Sequence, residues 1–369
     1  MKMLVIDNSA MNCDKNGNFY TNITNGAFIK DLIECGNELT WYQFAVENLK
    51  GISGYNLKEN NVKCVPIKRT SNKLFSYIKV FLRIIPEIRK ADFVYFFYPG
   101  SLTLGTFLCR LFRKKYGLYI RGMQGFDSKR SHCIYKKAHT IFTVSKFFTD
   151  RVNEVVGKEV AHSIRPMIPF NEDDIVKDRT YLKKRIYNLL YLGRIEKDKG
   201  IIELLNAIKA LADSKEFTIS LKIVGGGNFL EGAKQLCHDL KIDEHVSFEG
   251  VVYDDTIKRE YYLEADAYIL PTYHEGFPRT LYEAMIFGTP IITTFVGGIP
   301  ALMKDGVNCL KIETRSVDSI VEKIKQFLTN YEQTATTICS TASETIEPII
   351  SKKRLTHGKD LNKILKNAE

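Results

Sequence analysis

The chain has 369 residues, more than one hydrophobic core usually serves, so its length predicts two domains. Apolar residues make up 44% of the sequence, and this fraction excludes disorder over most of the chain. The formal net charge is +10, but residues 1–170 hold 26 Lys and Arg against 13 Asp and Glu, while the remaining residues hold 27 against 30. The positive charge therefore belongs to the first half, where an anionic partner is expected.

The cysteines indicate a reducing compartment. All eight are scattered without a C-x-x-C pair, and no signal peptide precedes them. This pattern is typical of reduced thiols in a cytosol. The longest uncharged run, residues 93–109, approaches membrane-spanning length, but "YPGS" interrupts it. We therefore predict a strand, a turn and a helix there instead of a membrane span.

Apolar strand-like runs alternate with helical patterns along the chain. The first half contains "MLVID", "LTWYQF", "ADFVYFFYPG", "GLYIRG" and "HTIFTVS", and the rhythm restarts after residue 185 with "NLLYLG", "SLKIVGGG", "HVSFEG", "ADAYILP" and "PIITTF". Such alternation predicts parallel sheets covered on both faces, and residues 165–186, with two prolines and an acidic cluster, are the predicted linker. We therefore predict an α/β fold of two doubly wound Rossmann-like domains, residues 1–170 and 171–369, facing across a cleft that is the expected site. The C-terminal helix could pack back on the first domain.

Two glutamates lie close together in "HEGFPRTLYEAMIFGTP". Glu275 lies in a loop at the carboxyl end of the strand "AYILP", so it is either a solvated surface group or a ligand contact. Glu283 follows Thr280 by three residues, the spacing of a capping box, so a structural role is as plausible for it as a ligand contact. The helix should begin after Thr280 and end at Gly288 in a left-handed conformation, with Leu281, Ala284 and Met285 facing inward.

Two cations and a glycine-rich turn follow other strands of the second half. In "YLGRIEKDKGI", Arg194 and Lys199 precede a helix, and they are either a diphosphate site or a pair of surface bases. In "KIVGGGNFL", the turn that contains Gly225 could let the backbone approach a ligand. Alone, each of these signals is weak.

Together, "GRIEKDKG", "VGGG" and "HEGFPRTLYEAMIFGTPII" resemble the family 4 retaining glycosyltransferases of the GT-B fold, and the match runs from about residue 188 to 310. Glu275 and Glu283 reproduce the E-x7-E motif of that family. The resemblance implies that residues 171–369 bind a nucleotide-sugar donor and that residues 1–170 bind the acceptor. It implies that Arg194 and Lys199 bind the phosphates, that Glu275 contacts donor-sugar hydroxyls and that Glu283 accepts hydrogen bonds from the ribose.

The resemblance extends to backbone contacts. It implies that the amides around Gly276, Phe277 and Pro278 line the donor, although Pro278 has no N–H and can only shape the loop. The segment "GGIPALMKDGVNCL" resembles the closing part of the donor site, with Ala301 and Cys309 where Glu and Gly are usual. Its glycines, Gly297 and Gly298, would bring the backbone close to the donor, as would Gly225.

The first half matches less closely. Where the family carries a glycine-rich loop between the first strand and first helix, only Asn25 and Gly26 remain. Where it often has a His near the end of a later strand, this chain has Arg121 followed by Gly122. We place Asn25, Gly26 and Arg121 on the acceptor side.

The resemblance implies sugar transfer with retention. Arg194, Lys199 and a helix dipole would stabilise the departing nucleoside diphosphate, and Glu275 would complete the catalytic group. No carboxylate nucleophile is expected, because the family is thought to react on the front face, with the leaving phosphate oxygen taking the proton of the acceptor. The sequence contains no D-x-D motif and no His/Cys cluster at ligand spacing, so we expect no metal and no cofactor.

The basic half suggests where the acceptor is. Residues 68–90 carry seven Lys and Arg and one Glu among apolar residues, as expected either for a helix on anionic lipid or for a core-facing helix with a basic outer side. A second basic cluster contains Arg110, Arg113, Lys114 and Lys115. We expect a cytoplasmic, peripheral protein on the inner face of a membrane, with a lipid-linked glycan acceptor, a role in surface polysaccharide synthesis and no nucleic-acid partner. The alternatives are an inactive sugar-nucleotide-binding subunit and another nucleotide-sugar enzyme, such as a non-hydrolysing epimerase.

Overall fold

The computed structural model describes residues 1–47, 54–67, 73–122 and 125–367, without the side chains of residues 73–78. The chain divides into two compact units: Met1–Met167 with Leu355–Glu369, and Ile168–Arg354. The boundary therefore lies a few residues before the predicted one. The C-terminal segment belongs to the first unit instead of ending the second, which is the packing that the sequence left open.

The first unit is built on one sheet. Its described strands are β1 (Lys2–Cys13), β2 (Phe19–Thr21), β3 (Glu38–Glu47), β4 (Tyr55–Asn56), β5 (Lys63–Ile67), β6 (Phe93–Tyr98), β7 (Lys115–Ile120), β8 (Thr140–Thr143) and β9 (Ala161–Ser163). The helices described in this unit are α1 (Ile23–Glu34), α2 (Lys73–Lys90), α3 (Gly105–Leu111), α4 (Lys129–Tyr135), α5 (Lys146–Val156) and, from the C-terminal segment, α12 (His357–Lys366).

Seven strands of this sheet run parallel in the order β5-β3-β1-β6-β7-β8-β9. The expected parallel sheet is confirmed for these strands. The short strands β2 and β4 are an antiparallel addition at the end of β1, and the sequence did not predict them. After β1 the chain builds one side of the sheet through β3 and β5, and then crosses to the other side at β6, so the strand order reverses between β1 and β6.

The second unit repeats this plan. Its strands are β10 (Ile186–Leu192), β11 (Thr218–Val224), β12 (Val246–Gly250), β13 (Ala267–Leu270), β14 (Ile291–Thr294) and β15 (Leu310–Ile312). All are parallel, in the order β12-β11-β10-β13-β14-β15, so the order reverses between β10 and β13. Its helices are α6 (Ile201–Ser214), α7 (Leu230–Leu240), α8 (Asp255–Glu264), α9 (Arg279–Ile286), α10 (Val317–Thr329) and α11 (Tyr331–Ile350).

The central strands are buried because helices cover both faces of each sheet. Every residue of β6 is buried, as is every residue of β13 and β14. The uncharged run at residues 93–109 forms β6, a turn and the start of α3, as predicted. Within the described part of the chain, no helix combines the length and the apolar character needed to cross a membrane.

The predicted linker is packed on the second unit over most of its length. The backbone N–H of Val176 donates to the carbonyl of Ile286, and the Tyr181 hydroxyl donates to the carbonyl of Gly288. Between them, the Arg179 guanidinium donates to the carbonyls of Ala265 and Tyr262. The boundary between the two units lies inside the predicted linker, residues 165–186, and these hydrogen bonds tie the part of it that follows the boundary to the ends of α8 and α9.

The C-terminal helix α12 is fixed to the first unit by a buried histidine. His357 is 3% exposed, and its Nε2 lies 2.7 Å from the hydroxyl of Tyr95. Its ring centroid lies 4.5 Å from those of Phe28 and Tyr119. Burial lowers the pKa of His357 from its usual 6.5 to about 3. The ring therefore stays neutral in the folded chain.

We expect this histidine to make the first unit acid-sensitive. Below pH 6.5 the histidine is protonated in the unfolded chain but stays neutral in the folded chain. The free energy of unfolding is therefore at its full value above pH 6.5 and falls as the pH drops toward 3. At about pH 5 the loss is about 2 kcal/mol. Urea unfolding can be followed by the fluorescence of Trp41, the one tryptophan, which lies in the same buried cluster as Phe28 and Leu361.

The matched control replaces His357 and its partner Tyr95 with Phe, so that no hydroxyl is left unpaired. This variant should lose about 2 kcal/mol less than the wild type between about pH 7.5 and pH 5. Equal losses in the two proteins would show that His357 does not cause the sensitivity.

Candidate functional site

The candidate site lies where the strand order of the second sheet reverses, the place where doubly wound sheets bind ligands. The loops that leave the carboxyl ends of β10 and β13 are joined there, because the backbone N–H of Tyr273 donates to the carbonyl of Asp198 at 2.9 Å. Gly200 adopts a φ of +71°, and a Cβ at this position would overlap the carbonyl of Pro271. The close approach of the two loops therefore requires glycine at position 200.

Lys199 and Glu275 form an ion pair between these two loops. Lys199 Nζ lies 2.5 Å from Glu275 Oε1, and it also donates to the carbonyl of His274 and to the hydroxyl of Thr272. The side chain of Lys199 is 7% exposed and that of Glu275 is 20% exposed. The three protons of the ammonium group thus have acceptors within the protein. Lys199 fixes the carboxylate of Glu275 and is not a free surface cation.

The backbone of Glu275 is also held. Gly297, with a φ of +57°, approaches so closely that a Cβ there would overlap the carbonyl of Glu275. The N–H of Gly298 is 3.4 Å from the same carbonyl oxygen. Both glycines predicted from the sequence therefore lie against the catalytic candidate, and their contact with a donor stays a prediction.

Arg194 is the free cation of the predicted pair. Its backbone carbonyl accepts a hydrogen bond from the buried hydroxyl of Tyr191 at 2.6 Å, which fixes the turn after β10. Its side chain is exposed, and the guanidinium makes no hydrogen bond or ion pair with the residues that the structure describes. Arg194 can therefore meet an anionic ligand without first losing a protein partner.

The glycine-rich turn after β11 has a structural reason. A Cβ at Gly225, where φ is +143°, would overlap the carbonyl of Gly193, and a Cβ at Gly227 would overlap that of Ile195. The N–H of Ile195 donates to the carbonyl of Gly226 at 2.9 Å. The close approach that Gly225 permits is therefore to the backbone of the Arg194 turn. A donor contact at Gly225 stays a prediction.

The capping-box interpretation of Glu283 was wrong. Helix α9 begins at Arg279 after Pro278, and Thr280 lies inside it, where its hydroxyl accepts from that of Tyr268 at 2.6 Å. Glu283 is 7% exposed and accepts a hydrogen bond from Tyr262 at 3.0 Å. Burial raises the pKa of Glu283, although the Tyr262 hydroxyl partly opposes the shift.

Two other predictions for this helix, its inward face and the glycine after its end, are confirmed. Its inward residues are those predicted, and a glycine in the left-handed region follows its end: Leu281, Ala284 and Met285 are buried, and Gly288 has a φ of +59°. Phe277 is 8% exposed, and its ring packs against that of Tyr282 with 4.4 Å between ring centroids, so its side chain belongs to the interior. Gly276 is partly exposed, while Pro278 is buried at the helix start.

The three acceptor-side residues differ in their surroundings. Asn25 is 3% exposed, and its side-chain amide donates to Asp7 at 2.8 Å, so it serves the interior. A Cβ at Gly26 would overlap the ring of Tyr55, so packing requires glycine there. Arg121 is different, because its side chain is 31% exposed while it pairs with the buried Asp7 at 3.1 Å. Only Arg121 of the three can reach a ligand with its side chain.

Sequence reasoning missed the residues that support these groups. Asp7 was one available signal, since an acid inside the apolar run "MLVIDNSAM" is unusual for a buried strand. The hydroxyls of Tyr191, Tyr262 and Tyr268, which brace the second-unit site, gave no signal because tyrosine is ordinary in apolar strands and helices. No group of three or more His, Cys, Asp or Glu residues within the described ranges could hold a metal ion. Independence from metal and cofactor stays a prediction.

The second unit is similar in sequence to known proteins. Residues 174–345 match the family model of the glycosyl transferases group 1. A GDP-mannose-dependent alpha-(1-6)-phosphatidylinositol monomannoside mannosyltransferase of Mycobacterium tuberculosis is 30% identical over 144 residues, which are 37% of each chain. The capsular polysaccharide biosynthesis glycosyltransferase CapM of Staphylococcus aureus is 28% identical over 165 residues, 41% of each chain. The matches span between 32% and 55% of the length of the first curated relatives.

Solved structures resemble the whole chain. The crystal structure of Anabaena Alr3699/HepE in complex with UDP-glucose aligns over 100% of both chains, with a TM-score of 0.72 and 14% sequence identity. The chain has the GT-B fold, and its second unit resembles the glycosyl transferases group 1.

Proposed function

We propose that this protein is a retaining glycosyltransferase that moves a sugar from a nucleotide diphosphate-sugar to a glycan acceptor. One observation carries the proposal: the Lys199–Glu275 ion pair lies between the loops that follow β10 and β13, and the free Arg194 occupies the first of these loops. The arrangement falls within the residues that match the family model.

Arg194 is our candidate for the diphosphate contact. A guanidinium can bind two phosphate oxygens at once. The positive end of the α6 dipole, at the N-terminus of the helix, also attracts the negative charge of a phosphate. The proposal of a nucleotide-sugar donor is supported by the names of similar proteins, one dependent on GDP-mannose and one crystallised with UDP-glucose.

The ion pair defines what Glu275 can do. A carboxylate held 2.5 Å from an ammonium group is a weakened nucleophile, but it still accepts hydrogen bonds on its other oxygen. We therefore assign Glu275 to the hydroxyls of the donor sugar. The bond from the anomeric carbon to the diphosphate breaks, the acceptor oxygen bonds to the same face, and the leaving phosphate oxygen takes the acceptor proton. Glu283 would meet the ribose with the oxygen that Tyr262 does not hold.

We further propose that the acceptor is lipid-linked and that the protein binds the inner face of a membrane. The supporting feature is the α2–α3 surface, which we define by four exposed apolar residues, Leu82, Leu104, Phe107 and Leu111, and four exposed cations, Lys79, Arg83, Arg110 and Arg113. Leu82, Phe107 and Leu111 are each more than 60% exposed. Apolar side chains with a basic rim suit insertion among anionic headgroups.

Helix α2 has features of both structures that the sequence allowed, a core-facing helix and a helix on anionic lipid. Val80, Ile84 and Ile88 of α2 are buried in the core, while Leu82 and the cations face outward. Residues 68–72 lie outside the described residues, as do the side chains of residues 73–78. Relatives named for a phosphatidylinositol monomannoside and for capsular polysaccharide support a lipid-linked acceptor and a surface glycan as the product.

Replacing Arg194 tests the donor site. The Arg194→Ala variant should bind UDP or GDP more weakly by roughly ten- to a hundredfold, because a hydrogen bond to a charged group contributes roughly 1.5 to 3 kcal/mol. The Lys197→Ala variant is the matched control, since Lys197 is an exposed cation of the same turn. Calorimetric titration measures both. Equal affinities of wild type and Arg194→Ala for both nucleotides would reject the assignment.

Phe107→Trp tests the α2–α3 surface. Its fluorescence should shift to the blue with vesicles that contain anionic phosphatidylglycerol, while Leu182→Trp, at a position 61% exposed in the second unit, should not respond. Replacing Lys79 and Arg83 with Gln should weaken vesicle sedimentation at low salt, since each nearby cation contributes about 1 kcal/mol. A protein that neither shifts nor sediments at any salt concentration would have a soluble acceptor.

A further inference from the structure

A second polar cluster lies at the point where the strand order of the first sheet reverses. There β1 pairs with β3 up to Asp7 opposite Gln43, and the register then slips, so that Ala10 is the next partner, opposite Phe44. Asn8 and Ser9 are the extra residues of this bulge. Bulges beside functional sites redirect side chains, and this bulge follows Ile6, the last residue of β1 that pairs with β6, at the kind of reversal where doubly wound sheets bind ligands.

The cluster is built around a buried carboxylate. Asp7 is 0% exposed, and its two oxygens accept five hydrogen bonds, from Ser9 N, Ser9 Oγ, Asn25 Nδ2, Gln43 Nε2 and Arg121 Nη2. Burying a charge is costly, and well-packed apolar side chains would often be as stable. A buried carboxylate that accepts five hydrogen bonds therefore marks this cluster as a candidate site.

Asp7 fixes one cation, Arg121. The residue follows β7, its N–H donates to the carbonyl of Tyr98 at 3.0 Å, and its guanidinium carbon lies 4.9 Å from the ring centroid of Phe97. Within the described ranges, the side chain donates only to Asp7, from Nη2, so most of its five N–H groups remain available. With 31% of the side chain exposed, Arg121 is both oriented and accessible.

The guanidinium of Arg121 itself favours an anion. The segment that follows β7 carries two exposed cations, Lys129 and Arg130, which form no ion pair with the described part of the chain, and one exposed acid, Asp127, which pairs with Arg151. Asp7 is fully buried, so it pairs with the interior side of the Arg121 guanidinium and leaves the exposed side without an anionic partner among the described residues. A hydroxyl group of a sugar needs no fixed guanidinium, whereas a carboxylate or phosphate matches its planar, two-pronged geometry.

We propose that Arg121 binds the carboxylate or phosphate group of an acidic sugar acceptor, with Asp7 as its positioning residue. The proposal deepens the proposed function and rests on it in taking the ligand to be the acceptor. It adds that the acceptor carries a negative charge on or next to the sugar that enters the first unit. The carboxylate of a uronic acid and the phosphate of a sugar phosphate share this chemistry.

Small probes test the proposal without knowledge of the natural acceptor. The full chain is saturated with UDP, so that Arg194 is occupied, and titrated with glucuronate, glucose 6-phosphate, inorganic phosphate and glucose. Glucuronate, glucose 6-phosphate or both should bind at least about tenfold more tightly than glucose and than inorganic phosphate. The tighter of the two acidic sugars identifies the group that the natural acceptor carries.

Variants of Arg121 assign the binding to this residue. Arg121→Gln should abolish the preference for acidic sugars, Arg121→Lys should keep part of it, and Lys129→Gln should keep most of it. Trp41 donates to Gln43 at 2.7 Å, so its fluorescence reports whether the cluster is intact in each variant. Acidic sugars that bind no better than glucose, or an undiminished preference in a folded Arg121→Gln protein, would overturn the proposal. An error in the proposed donor site would give a different result, namely unchanged UDP binding by the Arg194→Ala variant.

Discussion

The ion pair between Lys199 and Glu275 is the constraint on which the second unit depends. Each partner is mostly withdrawn from water, so neither charge could remain in place without the other. Its formation requires the loops after β10 and β13 to touch, and the glycine at position 200 permits this approach. The position of the candidate catalytic carboxylate is therefore set by a pair that forms only when both strands are already neighbours in the sheet.

The two units use one architectural solution twice. Each sheet is parallel at its centre, each reverses its strand order beside its first strand, and each holds an acid–base pair near that reversal. The pairs differ in which partner is accessible. In the second unit the acid is the more exposed member, which suits contact with sugar hydroxyls, whereas in the first unit the arginine is exposed, which suits contact with an anion.

Much of this could be predicted from the sequence. Buried strands such as β6 and β13 are apolar throughout, and the left-handed glycine after α9 and the inward face of that helix follow from local rules. The partner of Lys199 could not be predicted, because it lies 76 residues away and depends on strand pairing. The predicted cap of α9 was wrong for a similar reason, because the hydroxyl of Thr280 accepts a hydrogen bond from Tyr268 of a neighbouring strand.

A double-mutant cycle on Lys199 and Glu275 tests the central claim most directly. The free energy of unfolding would be measured by urea titration for the wild type, Lys199→Met, Glu275→Leu and the double variant. Removing one partner leaves a charge withdrawn from water, which costs several kcal/mol, whereas removing both leaves none. The account predicts that the double variant is more stable than the sum of the single losses implies, by about 2 kcal/mol or more. Additive losses would contradict it, because the pair would then not hold the site together.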